Sequence, residues 1–325
     1  MSIPTNAKIK DLKKLPQFKE CGKYILYAPG IMGLLMGNMR LDQGEKTGWN
    51  SESMIRGLNR LEEVASKGSC VYPVYKPEEC VDDKAKKDVN VIFLPRTQDL
   101  GPKPFLVICA GGAYAGVCSA VEGFPVAARF NELGYDTFVL TYRVSGTGQL
   151  PKPIDDLAAA VKFILDKQET FGISGEYAVC GFSAGANLIS IFGTDNHGYK
   201  TYGLPKPVAM IPVYTLITHK LYGDNKIMKF ALKKMFGTKI TEEKFREYDV
   251  DEHMSEAYPP CYIVCGKNDS TVPPANSERL KECLDKLAIP AVLEEGENAE
   301  HGFGEGLGTD VEGWIGRADT FIMGL

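Results

Sequence analysis

Residues 176–193 read EYAVC-GFSAG-ANLISIFG. An apolar run with strand character enters a five-residue turn, and an apolar stretch with helical character leaves it. Gly181-Phe182-Ser183-Ala184-Gly185 has small residues two before and two after the serine, which lets the backbone turn a sharp corner there. Such a corner lifts a serine hydroxyl above the end of a sheet, at a helix N-terminus that favours a developing anion. A chain of this length carries GxSxG by accident about one time in ten, so the motif alone decides little. Its placement between a buried-type strand and an apolar helix is what gives it weight.

Working outward, short β-branched runs alternate with helical patterns. Strands are expected at 70–75, 90–95, 105–110, 136–142, 176–180, 208–214, 261–266 and 291–295. Helices are expected at 122–133, 154–168, 184–193, 274–287 and 309–323. Near-continuous apolar strands alternating with helices predict an α/β fold with a mostly parallel sheet covered on both faces. Ligands in such sheets bind outside the carboxyl ends of the strands, so chemistry is sought in the turns that follow them. Residues 215–257 interrupt the alternation with a helical, charged segment and read as a cap inserted into a core spanning 69–325. Residues 1–68 form an extension packing on that core, with one clear helix in SESMIRGLNRLEEVASKG. Its apolar run Ile31 to Met36 fits core packing better than a roof over the site.

A serine nucleophile needs a base, usually histidine, oriented by a carboxylate. The chain has four histidines. His197 sits at a helix end, and His219 and His253 lie in the cap. His301 follows the last strand, among glycines that permit close approach. Asp269 directly follows the strand CYIVCG and precedes a rigid VPP turn, whereas Glu297 and Glu300 share the His301 loop. The order Ser183, Asp269, His301 places each group after its own strand. After the strand FLVIC, Gly111, Gly112 and Ala113 are candidate oxyanion donors, with the Ala184 amide as their partner. Tyr114, Glu122 and Phe182 are candidate substrate contacts. Glu122 equally suits the first turn of its helix, and Asp156 suits a structural or solvated role.

From about residue 88 onward the chain resembles the α/β-hydrolase esterases, a group that includes hormone-sensitive-lipase-like carboxylesterases and bacterial acetyl xylan and feruloyl esterases. The matching pieces are ICAGGAY, EGFPVAARFNELGYDTFVLTYRV, PIDDLAAAVKFI, GFSAGANL, PPCYIVCGKNDSTVPPANS and AEHGFG. The resemblance implies an acyl-enzyme mechanism on Ser183 with Asp269 and His301, and Gly111 and Gly112 at the oxyanion hole. Where the family usually has HGGG this chain has AGGA, so Ala110 replaces the histidine that braces the glycine loop. Acetyl or feruloyl esters of carbohydrates are expected substrates. A serine amidase of the arylformamidase type and a non-catalytic ligand-binding protein are the rivals.

Composition narrows the partners. A net charge of −5 gives no basic field for nucleic acid or anionic lipid. Nine cysteines without a framework, four histidines and no CxxC argue against disulfides and a zinc site, and for a reducing cytoplasm. No cofactor or metal is expected, a homo-oligomer is allowed, and no apolar stretch is long enough to span a bilayer.

Overall fold

The computed structural model describes residues 3–144, 146–223 and 225–325, with 45–47 described by backbone alone. Its strands are β1 (Val71–Pro73), β2 (Asn90–Leu94), β3 (Phe105–Cys109), β4 (Thr137–Thr141), β5 (Tyr177–Phe182), β6 (Met210–Val213), β7 (Cys261–Gly266) and β8 (Ala291–Gly296). They form one sheet in the order β1-β2-β4-β3-β5-β6-β7-β8. β2 runs antiparallel to both β1 and β4, and every other pairing is parallel. Each of the eight expected runs becomes a strand. β3, β5 and β7 are buried along their whole length. The edge strand β8 instead carries Glu294 and Glu295, charges that keep an open edge from pairing with another chain.

The helices of eight or more residues are α1 (Gly30–Gly37), α2 (Ser51–Ala65), α3 (Phe124–Glu132), α4 (Lys152–Leu165), α5 (Ala184–Phe192), α6 (Lys226–Phe236), α7 (Ala275–Lys286) and α8 (Trp314–Met323). The last one starts later than its pattern suggests, because Gly313 takes a left-handed φ of 84° just before it. The helix expected from 122 also starts late. Residues Ser119–Gly123 make a wide π turn first, and Pro125 then occupies the first turn of α3, where its missing N–H costs nothing.

Side chains alternate across the strands, so two apolar layers form. Val107, Cys109 and Val179 face the layer shared with Leu216, Met228, Leu232 and Met235 of the cap. Leu106, Ile108 and Cys180 face the layer shared with Ile9, Phe18, Leu41, Met54, Leu58 and Leu61 of the extension. The extension thus covers one face of the sheet and the cap contributes to the other. α2 comes so close to α3 that a Cβ on Gly57 would stand 2.4 Å from the Pro125 nitrogen.

One expectation for the extension is corrected. The run from Ile31 to Met36 is not core. It is the helix α1, with Ile31, Leu34 and Leu35 at 78%, 68% and 61% exposure. Met32 and Met36 on its neighbouring face line the cleft described below.

The β5–α5 corner depends on glycine for space. A Cβ on Gly185 would lie 1.9 Å from the Cys109 carbonyl oxygen, a backbone atom that cannot swing aside. Gly185→Ala is therefore expected to destabilise the fold by on the order of 3 kcal/mol, because β3 and α5 must separate. Urea unfolding followed by circular dichroism measures this, and an unchanged midpoint would contradict it.

Candidate active site

Only Ser183 separates the end of β5 from the start of α5. It holds φ 52° and ψ −115°, a conformation costly for a residue with a Cβ. The Ser183 N–H donates to the Val213 carbonyl at 3.0 Å, anchoring the corner to β6. Five non-glycine residues among those described have positive φ, and four of them surround this point: Ala113, Tyr114, Ser183 and Tyr214. Strain of this kind persists where the surrounding structure over-determines it, and it concentrates at functional sites.

The structure brings the three predicted residues into one line of hydrogen bonds. His301 Nε2 lies 2.9 Å from Ser183 Oγ, and His301 Nδ1 lies 2.7 Å from Asp269 Oδ2. Asp269 is buried, and its Oδ1 accepts the N–H groups of Thr271 and Val272, both at 2.8 Å. Every acceptor position of that carboxylate needed to fix it is used, so it presents one oxygen to the imidazole. The ring of His301 rests on Tyr214, with centroids 4.6 Å apart.

The other histidines serve the cap. His197 pairs with Glu247 at 3.2 Å, His219 is held between Asp249 and Glu242, and His253 Nε2 meets the Arg246 carbonyl. Glu297 is exposed and paired with Lys267, and Glu300 is exposed, so neither competes with Asp269.

The glycine loop after β3 sorts its members differently from the sequence reading. Gly112, at φ 136°, leaves no room for a side chain, since a Cβ there would meet the Gly116 oxygen at 2.3 Å. The Gly111 N–H does not face the site. It donates to Glu122 Oε2 at 2.6 Å, which removes Gly111 from the oxyanion donors. Among the described residues no protein acceptor takes the N–H of Gly112, Ala113 or Ala184. All three border the cavities beside Ser183.

Ala110, which stands where a bracing histidine was expected, is compensated from elsewhere. Its carbonyl accepts the buried Tyr142 hydroxyl at 2.7 Å, while Glu122 holds the next amide. The extension braces the same loop from outside. Tyr27 and Val117 exchange backbone hydrogen bonds, and the Ala120 N–H donates to the Ile25 carbonyl at 2.7 Å. It also reaches the histidine loop, through Arg56 on Glu305 and Asn50 on the Leu307 carbonyl.

One candidate substrate contact is corrected. Phe182 points into the core against Tyr214 and Trp314 and is fully buried. Glu122 is not in a regular helical first turn, because the π turn directs its carboxylate inward, where the residue borders the cleft beside Ser183. Tyr114 is buried, and its hydroxyl donates to Asn187 Oδ1 at 2.8 Å, forming one wall beside Ser183. Asp156 is structural, holding Arg143 and the Tyr75 hydroxyl.

Two cavities meet at Ser183. One is confined, about 30 Å³, and bounded by Leu216, Met228, Ala231 and Met235. The other is an open cleft of about 490 Å³, walled by Met32, Met36 and Trp49 on one side and Lys226, Ile227 and Phe230 on the other. His301 borders only the cleft. No group of three or more potential metal ligands occurs among the described residues, and no described helix is long and apolar enough to cross a membrane.

Residues 91–284 match the BD-FAE family model, well over half of the chain. The chain belongs to the BD-FAE family. That match contains Ser183 and Asp269 and ends before His301. Among curated proteins, this BD-FAE chain is 27% identical to endo-1,4-beta-xylanase B of Butyrivibrio fibrisolvens, over 57% of its length and 30% of that protein's. It is 24% identical to the esterase LipC of Mycobacterium tuberculosis, over 62% of its length and 53% of LipC. It therefore spans between about a third and a half of these two relatives. An acetyl ester-xyloside bifunctional hydrolase from Caldicellulosiruptor lactoaceticus superimposes with a TM-score of 0.67 at 21% identity, covering 78% of this chain and 95% of that one. That likeness shows the fold, and with the family match it makes the BD-FAE chain an α/β-hydrolase.

Proposed function

We propose that this BD-FAE protein hydrolyses carboxylic esters through an acyl-enzyme on Ser183. The observation that carries the reading is the continuous line from Asp269 Oδ2 through both nitrogens of His301 to Ser183 Oγ. Ser183 Oγ attacks the ester carbonyl while His301 Nε2 takes its proton, and Asp269 stabilises the imidazolium. The amides of Ala184 and of Gly112 or Ala113 hold the oxyanion, each such donor being worth about 3 kcal/mol of barrier. His301 returns the proton to the leaving alkoxide as the carbon–oxygen bond breaks. It then draws a proton from water, which attacks the acyl group and frees the acid and Ser183.

The two cavities support a placement for each half of the ester. The alkoxide must leave on the side of the group that protonates it, and His301 borders only the open cleft. The alcohol therefore occupies the cleft and the acyl group the confined cavity. At about 30 Å³ the confined cavity is far smaller than the cleft, which favours acetyl over feruloyl. The cleft walls are mainly apolar, which favours an alcohol with a hydrophobic or aromatic part. All nine cysteines are free thiols and eight are buried, which supports a reducing, cytoplasmic setting.

A screen of 4-nitrophenyl acetate, butyrate and octanoate, with the matched acetanilide, tests this. Acetate is expected to lead and the anilide to lag; a preference for the anilide would favour the amidase reading. Met235→Ala enlarges the confined cavity and is expected to raise butyrate relative to acetate by about tenfold, since each methylene in an apolar pocket is worth 10- to 200-fold. An unchanged ratio would place the acyl group elsewhere.

A further inference from the structure

Glu122 has no part in the proton relay just described, yet it is 5% exposed and has no lysine or arginine partner among the described residues. A buried carboxylate without compensation is costly, so it calls for an account. Both of its neighbours are donors. The Gly111 N–H reaches Oε2 at 2.6 Å and the Tyr214 hydroxyl reaches Oε1 at 2.7 Å. A backbone N–H can only donate, and burial pushes the Tyr214 hydroxyl well above its usual range, so it keeps its proton. Short contacts from two donors are the pattern of an ionised acceptor.

The position joins two separate loops. Gly111 opens the oxyanion loop, one residue before Gly112. Tyr214 follows β6, packs tilted against the His301 ring at 4.6 Å, and stands edge-on to Phe303 at 4.8 Å. Its hydroxyl also meets the Gly304 N–H at 3.4 Å. A Cβ on Gly111 would collide with Glu122 Oε2 at 2.9 Å, so the acid sits directly under the turn. The titratable groups around Glu122 are Cys118, Cys180, Tyr142, Tyr214 and His301. Burial drives the two thiols and two phenols upward, which leaves them neutral. His301 is the one member of this set whose protonated form carries a positive charge.

We infer that Glu122 is a positioning residue: an ionised carboxylate that ties the oxyanion loop to the His301 loop through Tyr214 and adds a second negative charge beside the imidazolium. Asp269 holds His301 from the Nδ1 side, and Glu122 acts from beneath through the tyrosine. Burial is the largest influence and leaves the acid above its usual range, while its two hydrogen bonds and His301 pull the other way. The charge-bearing form is therefore best favoured when His301 is protonated, which is the state the acyl-transfer steps pass through. This rests on the ester-hydrolase reading for its kinetic part only.

Glu122→Gln removes the charge and keeps the shape. Removing a neighbouring anion disfavours the protonated imidazole, so the His301 titration followed by ¹⁵N NMR should move to lower pH by about half a unit or more. The acid limb of kcat/KM should move the same way. kcat is expected to fall about 10- to 100-fold from the loosened oxyanion loop, with KM changed little. Tyr214→Phe keeps the ring on His301 and cuts the hydrogen bond, and should give the same direction with smaller amplitude. It decides the matter if Glu122→Gln does not fold. A folded variant with an unmoved His301 titration overturns the inference. A wild type inactive on every ester would instead overturn the functional reading, with the NMR result still deciding this one.

Discussion

Ser183→Ala is expected to lower kcat/KM for 4-nitrophenyl acetate by about 10⁵- to 10⁶-fold while leaving stability within about 1 kcal/mol of wild type. The size follows from the geometry. Without Oγ there is no nucleophile for His301 to activate, and the residual rate comes from the amides and the cleft alone. Stability should hold because the hydroxyl has one partner, His301 Nε2, while the backbone bond from the Ser183 N–H to Val213 is retained. The alanine inherits the same positive φ, so it neither adds nor relieves strain. Purified wild type and variant, compared with matched unfolding midpoints, measure this. Retention of more than a few per cent of activity would mean that Ser183 is not the attacking group.

The legible part of the molecule was the part governed by local pattern. The sheet could be read because a buried parallel strand must be apolar throughout, and β3, β5 and β7 are. The three residues of the relay could be named because each follows a strand, where the chain must turn and few residue types can act. What escaped was set by packing between distant segments. Glu122 reads equally as a substrate contact or a helix-start charge, and its burial under Gly111 depends on the π turn before Pro125. Phe182 lies beside the nucleophile in sequence, yet alternation along β5 sends it into the core. The loss of a bracing histidine at Ala110 is made good by Tyr142 and Glu122, 32 and 11 residues away, respectively, for their bonds to Ala110 and Gly111. α1 misled because an apolar run suggests burial, whereas this one borders a cleft and leaves a face open.

Asp269→Asn should cost about 10⁴-fold in kcat/KM, with much less effect on KM, although it changes one atom. Asp269 Oδ1 receives two amide hydrogens, from Thr271 and Val272, and Oδ2 receives the one on His301 Nδ1. Three donors converge on one carboxylate. An asparagine has a single carbonyl oxygen, and two backbone N–H groups 2.8 Å away cannot be turned aside, so the oxygen must stay with them. The amide NH₂ then faces Nδ1 and needs an acceptor there. The imidazole responds by moving its proton to Nε2, where it points at Ser183 Oγ and blocks the lone pair that should accept the serine proton. The relay keeps its shape and loses its direction. ¹⁵N chemical shifts of His301 separate the two tautomers, and the variant should show the proton on Nε2 where the wild type carries it on Nδ1. A variant with normal tautomer and near-normal rate would show that Asp269 supports the loop after β7 without orienting the base.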